Sequence, residues 1–125
     1  MKRVSQLHPD GCGIACVAMI AGVSYHQARK KVCREEADGT STKEVCDALA
    51  KFGIACAGRL TRLRPGDYRK LEQDAILRTR TSKSDGDSHW IVWDAKRKRI
   101  IDPEPDKADR YVRPPITSFL GVKRK

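Results

Sequence analysis

The sequence predicts an α+β protein of one domain, residues 1–125, with an N-terminal helical part followed by an antiparallel β-sheet. Three observations predict it. Up to Gly53, apolar residues recur at helical spacing between capping residues and glycine stops. From Ile54 onward, short runs rich in β-branched and aromatic residues alternate with turn-forming residues. A chain of 125 residues is long enough for one core but not for two.

The first helix is expected to start after Asp10, a good N-cap, and to carry Ile14, Val17, Ala18 and Ala21 at helical spacing. Gly22-Val23 makes a break, and Ser24 caps a second helix, SYHQARKKVCR, with Tyr25, Ala28 and Val32 inward and His26 exposed. After a loop containing Asp38 and Gly39, Ser41 or Thr42 caps a third helix that ends at Gly53, with Cys46 and Leu49 in the core. IACAGRL from Ile54 reads as a strand, Arg64-Pro65-Gly66-Asp67 as a turn, and AILRTRT from Ala75 as a second strand, although Tyr68 to Leu77 is compatible with a short helix. A polar loop, SKSDGDS, precedes a hairpin made of His89 to Asp94 and Arg99 to Pro103. The tail is expected to add a last short strand or helix and to fray at its end.

The hairpin carries an internal check. A two-residue turn places His89 opposite Asp102, and a four-residue turn, Ala95 to Lys98, places Ile91 opposite Asp102 with His89 as its diagonal neighbour. Either puts His89 and Asp102 on one face, because side chains alternate with period two. The turn lacks the Gly or Asn that a two-residue loop favours, so four residues are expected. An aspartate that reaches one imidazole nitrogen fixes the tautomer and leaves the other nitrogen for acid-base work.

Composition bounds the function classes. The hydrophobic fraction of 39% and charged fraction of 34% describe a globular protein with a solvated surface. The net charge of +10, from 26 basic and 16 acidic residues, favours polyanions such as nucleic acid or an acidic protein as partners without naming one. Five cysteines with no framework spacing argue against a disulfide-stapled secreted domain and for a reducing, cytoplasmic setting. No CxxC pair supports a zinc site, and neither a metal nor a cofactor is expected. Met1-Lys2-Arg3 is separated from the first apolar run by a polar block, which excludes an export signal, and no run nears the roughly 18 apolar residues that span a bilayer.

Cys12 stands where a turn-prone lead-in meets the first helix. A cysteine in a first helical turn faces free backbone N–H groups and the positive end of the dipole, both of which favour a thiolate. Gly11 and Gly13 flank it without side chains and let a substrate backbone come close. Cys16, one turn further on, reads as core. Cys12, His89 and Asp102 thus supply a nucleophile, a base and a group that orients the base. Gln6 is a candidate to donate its side-chain amide to an oxyanion beside the Cys12 backbone N–H.

Gln6, the run Cys12-Gly13-Ile14-Ala15-Cys16-Val17-Ala18-Met19, His89-Trp90-Ile91-Val92 and Ile101-Asp102-Pro103 together resemble the papain-like peptidases that process double-glycine leader peptides of bacteriocins. The layout matches over nearly the whole chain, and the strict matches lie at its two ends. The resemblance implies a papain-like fold with Cys12 as nucleophile, His89 as base, Asp102 as orienting group and Gln6 in the oxyanion hole. Gly11 stands where the family commonly has Asp, and the connection from His89 to Asp102 is short. The family's best-known members are fused to membrane-spanning exporters, and the sequence contains no such segment. The expected activity is hydrolysis of a peptide bond in a peptide or protein substrate through a Cys12 acyl-enzyme. A deamidase or acyl transferase on the same fold is an alternative, as is a basic nucleic-acid or protein-binding module with an unused site.

Overall fold

The computed structural model describes residues 1–5, 7, 11–32, 42–64, 66–80, 88–103 and 116–124. Three helices come first: α1 (Cys12–Ala21), α2 (Tyr25–Val32) and α3 (Thr42–Lys51). Six strands follow: β1 (Ile54–Cys56), β2 (Thr61–Arg62), β3 (Ala75–Arg80), β4 (Ser88–Asp94), β5 (Arg99–Ile101) and β6 (Ile116–Arg124). A 3-10 turn at Asp67–Lys70 enters β3. Among the described residues, no helix is long and apolar enough to cross a membrane.

The helix α1 is buried on every side from Cys12 to Ile20. Its small residues, Gly13, Ala15 and Ala18, let α2 and β4 approach its backbone, and apolar character all round is what a central helix needs. It stops at Gly22, whose φ of 72° lets its N–H donate to the Ala18 carbonyl at 2.9 Å. The residue before the helix is Gly11, and among the described residues no side chain caps the first turn. The expected cap, Asp10, lies outside the described residues. Ser24 opens α2 as a capping box: the Gln27 N–H donates to Ser24 Oγ at 3.1 Å, and the Ser24 N–H donates to Gln27 Oε1 at 2.9 Å. Tyr25 and Ala28 are buried and His26 is exposed. Helix α3 ends as expected, with Gly53 at φ 78°.

The strands form one sheet in the order β1-β6-β3-β4-β5, with antiparallel pairing throughout and β2 pairing β6 beside this path. One face carries Ile76, Trp90, Val92, Ile101, Leu120 and Val122 against the three helices. The other face buries Ala75, Leu77, Ile91, Trp93 and Ile116 under Leu63, Tyr68 and Leu71. There the Trp93 indole N–H donates to the Leu71 carbonyl at 3.0 Å, and Tyr68 meets the Trp93 ring edge to face.

Two expectations need correction. The tail is not a peripheral addition: β6 runs nine residues between β1 and β3, with Leu120 and Val122 buried. Charges and turn formers upstream hide this, because a central strand is revealed by its neighbours rather than by its own pattern. Cys46, read as a core thiol, is only half-buried and forms a disulfide with Cys56. Helix α3 packs on β1 after a tight turn, which brings the two Cα atoms to 5.3 Å, a separation that a disulfide spans. The argument for a reducing compartment rested on unpaired cysteines, and this pair withdraws it.

Candidate active site

The hairpin has the four-residue turn. The ladder pairs Asp94 with Arg99, Trp93 with Ile100 and Val92 with Ile101, so Ala95 to Lys98 form the loop and Asp102 follows the last paired residue. Asp94, buried at the mouth of the turn, accepts from the Arg97 N–H and lies 3.6 Å from the Arg99 guanidinium. Continued by one residue, that register sets Asp102 across from Ile91 and diagonal to His89. The imidazole Nε2–H of His89 donates to Asp102 Oδ1 at 2.8 Å. Asp102 is 1% exposed, and its backbone carbonyl accepts from Arg3 Nε at 3.1 Å. The carboxylate is thus held from the backbone side while it holds the ring.

Cys12, the first residue of α1, reaches the same histidine. It is buried, and its side chain hydrogen-bonds with that of His89. With Nε2 committed to Asp102, Nδ1 is the ring atom left for the sulfur. Burial alone would lower the pKa of His89. The hydrogen bonds to Asp102 and Cys12, with the electrostatic pull of both groups, outweigh burial and hold it up at about 10. The ring therefore carries its proton on both nitrogens at neutral pH. Cys16, fully buried one turn along α1, is different in kind: burial first, then the proximity of Cys12 and Asp102, pushes its thiol well above the ordinary range.

Of the four residues the sequence singled out, the fold brings Cys12, His89 and Asp102 together. Gln6 lies outside the described residues. Three further residues surround the group. Arg3 anchors Asp102 from the N-terminal segment. Tyr25 is buried within electrostatic range of Cys12; burial raises its pKa, and a hydrogen bond with the Leu7 backbone works against that. Arg78 on β3 stands opposite Trp90, with its guanidinium carbon 4.5 Å from the indole centroid. Burial lowers the pKa of Arg78, and the nearby Cys12 works against that. Arg78 lies two residues from Ile76 along β3, and nothing local in the sequence singled it out. Among the described residues, no three His, Cys, Asp or Glu side chains gather as a metal would require.

No protein-family model matches the sequence, and no curated protein matches it. Solved structures do match its fold. The peptidase domain of Streptococcus ComA, a bifunctional ABC transporter involved in quorum sensing, superposes with a TM-score of 0.73 at 18% identity, covering 99% of this chain and 98% of that one. A double-glycine-motif protease from an AMS/PCAT transporter, solved in complex with its leader peptide, superposes with a TM-score of 0.68 at 21% identity, covering 99% and 91%. With its helical N-terminal part packed on an antiparallel sheet, the chain has the papain-like fold of these double-glycine peptidase domains over nearly its whole length.

Proposed function

We propose that the protein is a cysteine peptidase, residues 1–125 acting as one domain, with Cys12, His89 and Asp102 as its catalytic triad. The observation that carries this reading is the imidazole of His89, bonded through Nε2 to the buried carboxylate of Asp102 and hydrogen-bonded to a cysteine that opens a helix.

In this mechanism the Cys12 sulfur attacks the carbonyl carbon of a peptide bond. The oxyanion that forms is met by the uncapped N–H groups at the start of α1 and by the side-chain amide of Gln6. His89 then gives its Nδ1 proton to the departing amine, the C–N bond breaks, and an acyl-enzyme remains on Cys12. Water, deprotonated by the now neutral His89, attacks the thioester and restores the thiolate and imidazolium. Asp102 keeps the ring oriented and balances its charge in both half-reactions. The positive net charge suits a peptide with acidic character.

The test is mass spectrometry of a mixed peptide library, including sequences with a Gly-Gly pair, after incubation with wild-type protein and with Cys12→Ala. Cleavage by the wild type alone supports the reading. Release of ammonia, or acyl transfer to an added amine without chain cleavage, assigns the same cysteine to deamidation or transfer instead.

A further inference from the structure

Arg78 is a cationic side chain that the proposed reaction does not use, although it lies within electrostatic range of Cys12. It belongs to the same face of the sheet as Trp90, and α1, whose first residue is Cys12, packs on that face. Its guanidinium carbon sits 4.5 Å from the indole centroid of Trp90, a cation-π contact that uses none of its five N–H donors. No carboxylate among the described residues pairs with it; Asp102 is engaged by His89 and Asp94 by Arg99.

A guanidinium whose donors are not taken by a protein acceptor is available to a ligand that brings one. The flat, rigid fork is suited to taking a carboxylate through two parallel hydrogen bonds. Cys12 lies within electrostatic range of Arg78. Along β3 Arg78 is followed by Thr79, the ladder partner of His89, so an anion held by Arg78 would sit close to the Cys12–His89 pair.

We propose that Arg78, seated on Trp90, is a specificity residue that binds a carboxylate of the substrate adjacent to the scissile bond, so that the preferred substrates are peptides with an acidic side chain flanking the cleavage point. The proposal rests on the reading of Cys12 as the reactive thiol. Its role is in selection: Arg78 contacts substrate but moves no proton and forms no bond. The excess of positive charge over the whole chain acts in the same direction by drawing anionic peptides to the surface.

Two small alkylating agents of equal reach separate the charge preference from the peptidase activity. Iodoacetate carries a carboxylate and iodoacetamide a neutral amide, and both transfer their CH2 group to sulfur with loss of iodide. The rate of each at Cys12 is followed by peptide mass spectrometry, and their ratio is normalised to that for N-acetylcysteine. The expected ratio is about tenfold higher for wild type than for Arg78→Gln, intermediate for Arg78→Lys, and lower as salt rises. Equal ratios in wild type and Arg78→Gln, with Cys12 still labelled rapidly by iodoacetamide, overturn the proposal while leaving the peptidase reading intact. If both variants lose iodoacetamide labelling as well, Arg78 is structural and the proposal fails. If wild-type Cys12 shows no preferential labelling by iodoacetamide, the peptidase reading fails and the proposal with it.

Discussion

Replacing Asp102 by Asn tests the His89–Asp102 contact most directly. Asparagine keeps the shape and an oxygen acceptor, but it cannot balance an imidazolium. The contact is short, 2.8 Å, and its carboxylate is almost wholly shielded from water, so the hydrogen bond belongs with those to charged partners, worth ~1.5–3 kcal/mol. At about 1.4 kcal/mol per pKa unit, its loss lowers the His89 pKa by ~1–2 units from the present value of about 10. The sign follows from which form gains: Asp102 favours the charged ring, and its removal lets the proton leave at lower pH. An NMR titration of the imidazole Cε1–H resonances measures this without a substrate. The chain has three histidines, so single substitutions assign them. A wild-type His89 that titrates near 6.5, or an Asp102→Asn protein whose His89 titrates within a few tenths of wild type, would refute the argument.

Other outcomes follow from the same geometry. His89→Ala should reduce peptide hydrolysis by ~10²–10⁴-fold with the fold retained, as read by circular dichroism, because a positioned proton donor is lost rather than a core residue. The elevated His89 pKa should also link stability to pH. Its contribution is complete below about 6.5, declines as pH rises through about 10, and is absent in His89→Gln, which thermal unfolding from pH 6 to 11 will compare. Cys16 and the Cys46–Cys56 pair should resist alkylation in the native protein; Cys46 and Cys56 should react only after reduction, and Cys16 only after unfolding. Leu49→Ala, at a fully buried position on α3, should cost ~2–5 kcal/mol of unfolding free energy in urea.

Much of the site was legible in the sequence because it depends on local rules. The parity of a β-hairpin fixes which residues share a face, and the turn residues select the loop length, so the His89–Asp102 pairing followed from the segment between Ser88 and Pro103 alone. The place of Cys12 at a helix start followed from a glycine-flanked junction between polar and apolar residues. What stayed hidden depends on the packing of distant segments. Arg3 reaches Asp102 across almost the whole chain, and Arg78 meets Trp90 only because β3 pairs with β4. The Cys46–Cys56 bridge was equally invisible, since two of five cysteines pair through the docking of α3 on β1 and not through any sequence spacing. The capping residue expected at Asp10 was argued from propensity, and in the described chain the cap position is glycine.

The central position of β6 has a consequence for biosynthesis. Cys12 opens α1 and the His89–Asp102 hairpin lies far downstream of it, yet β6, the strand that joins β1 to β3, follows both along the chain. Pairings such as Ile54 with Arg124 span more than half the chain, and long-range contacts of this kind form slowly. A nascent chain can therefore carry the complete set of reactive groups while the sheet that aligns them is still missing its middle strand. Alignment of Cys12 with His89 and Asp102 would then wait for β6 to dock between β1 and β3, and not merely for the three residues to be made.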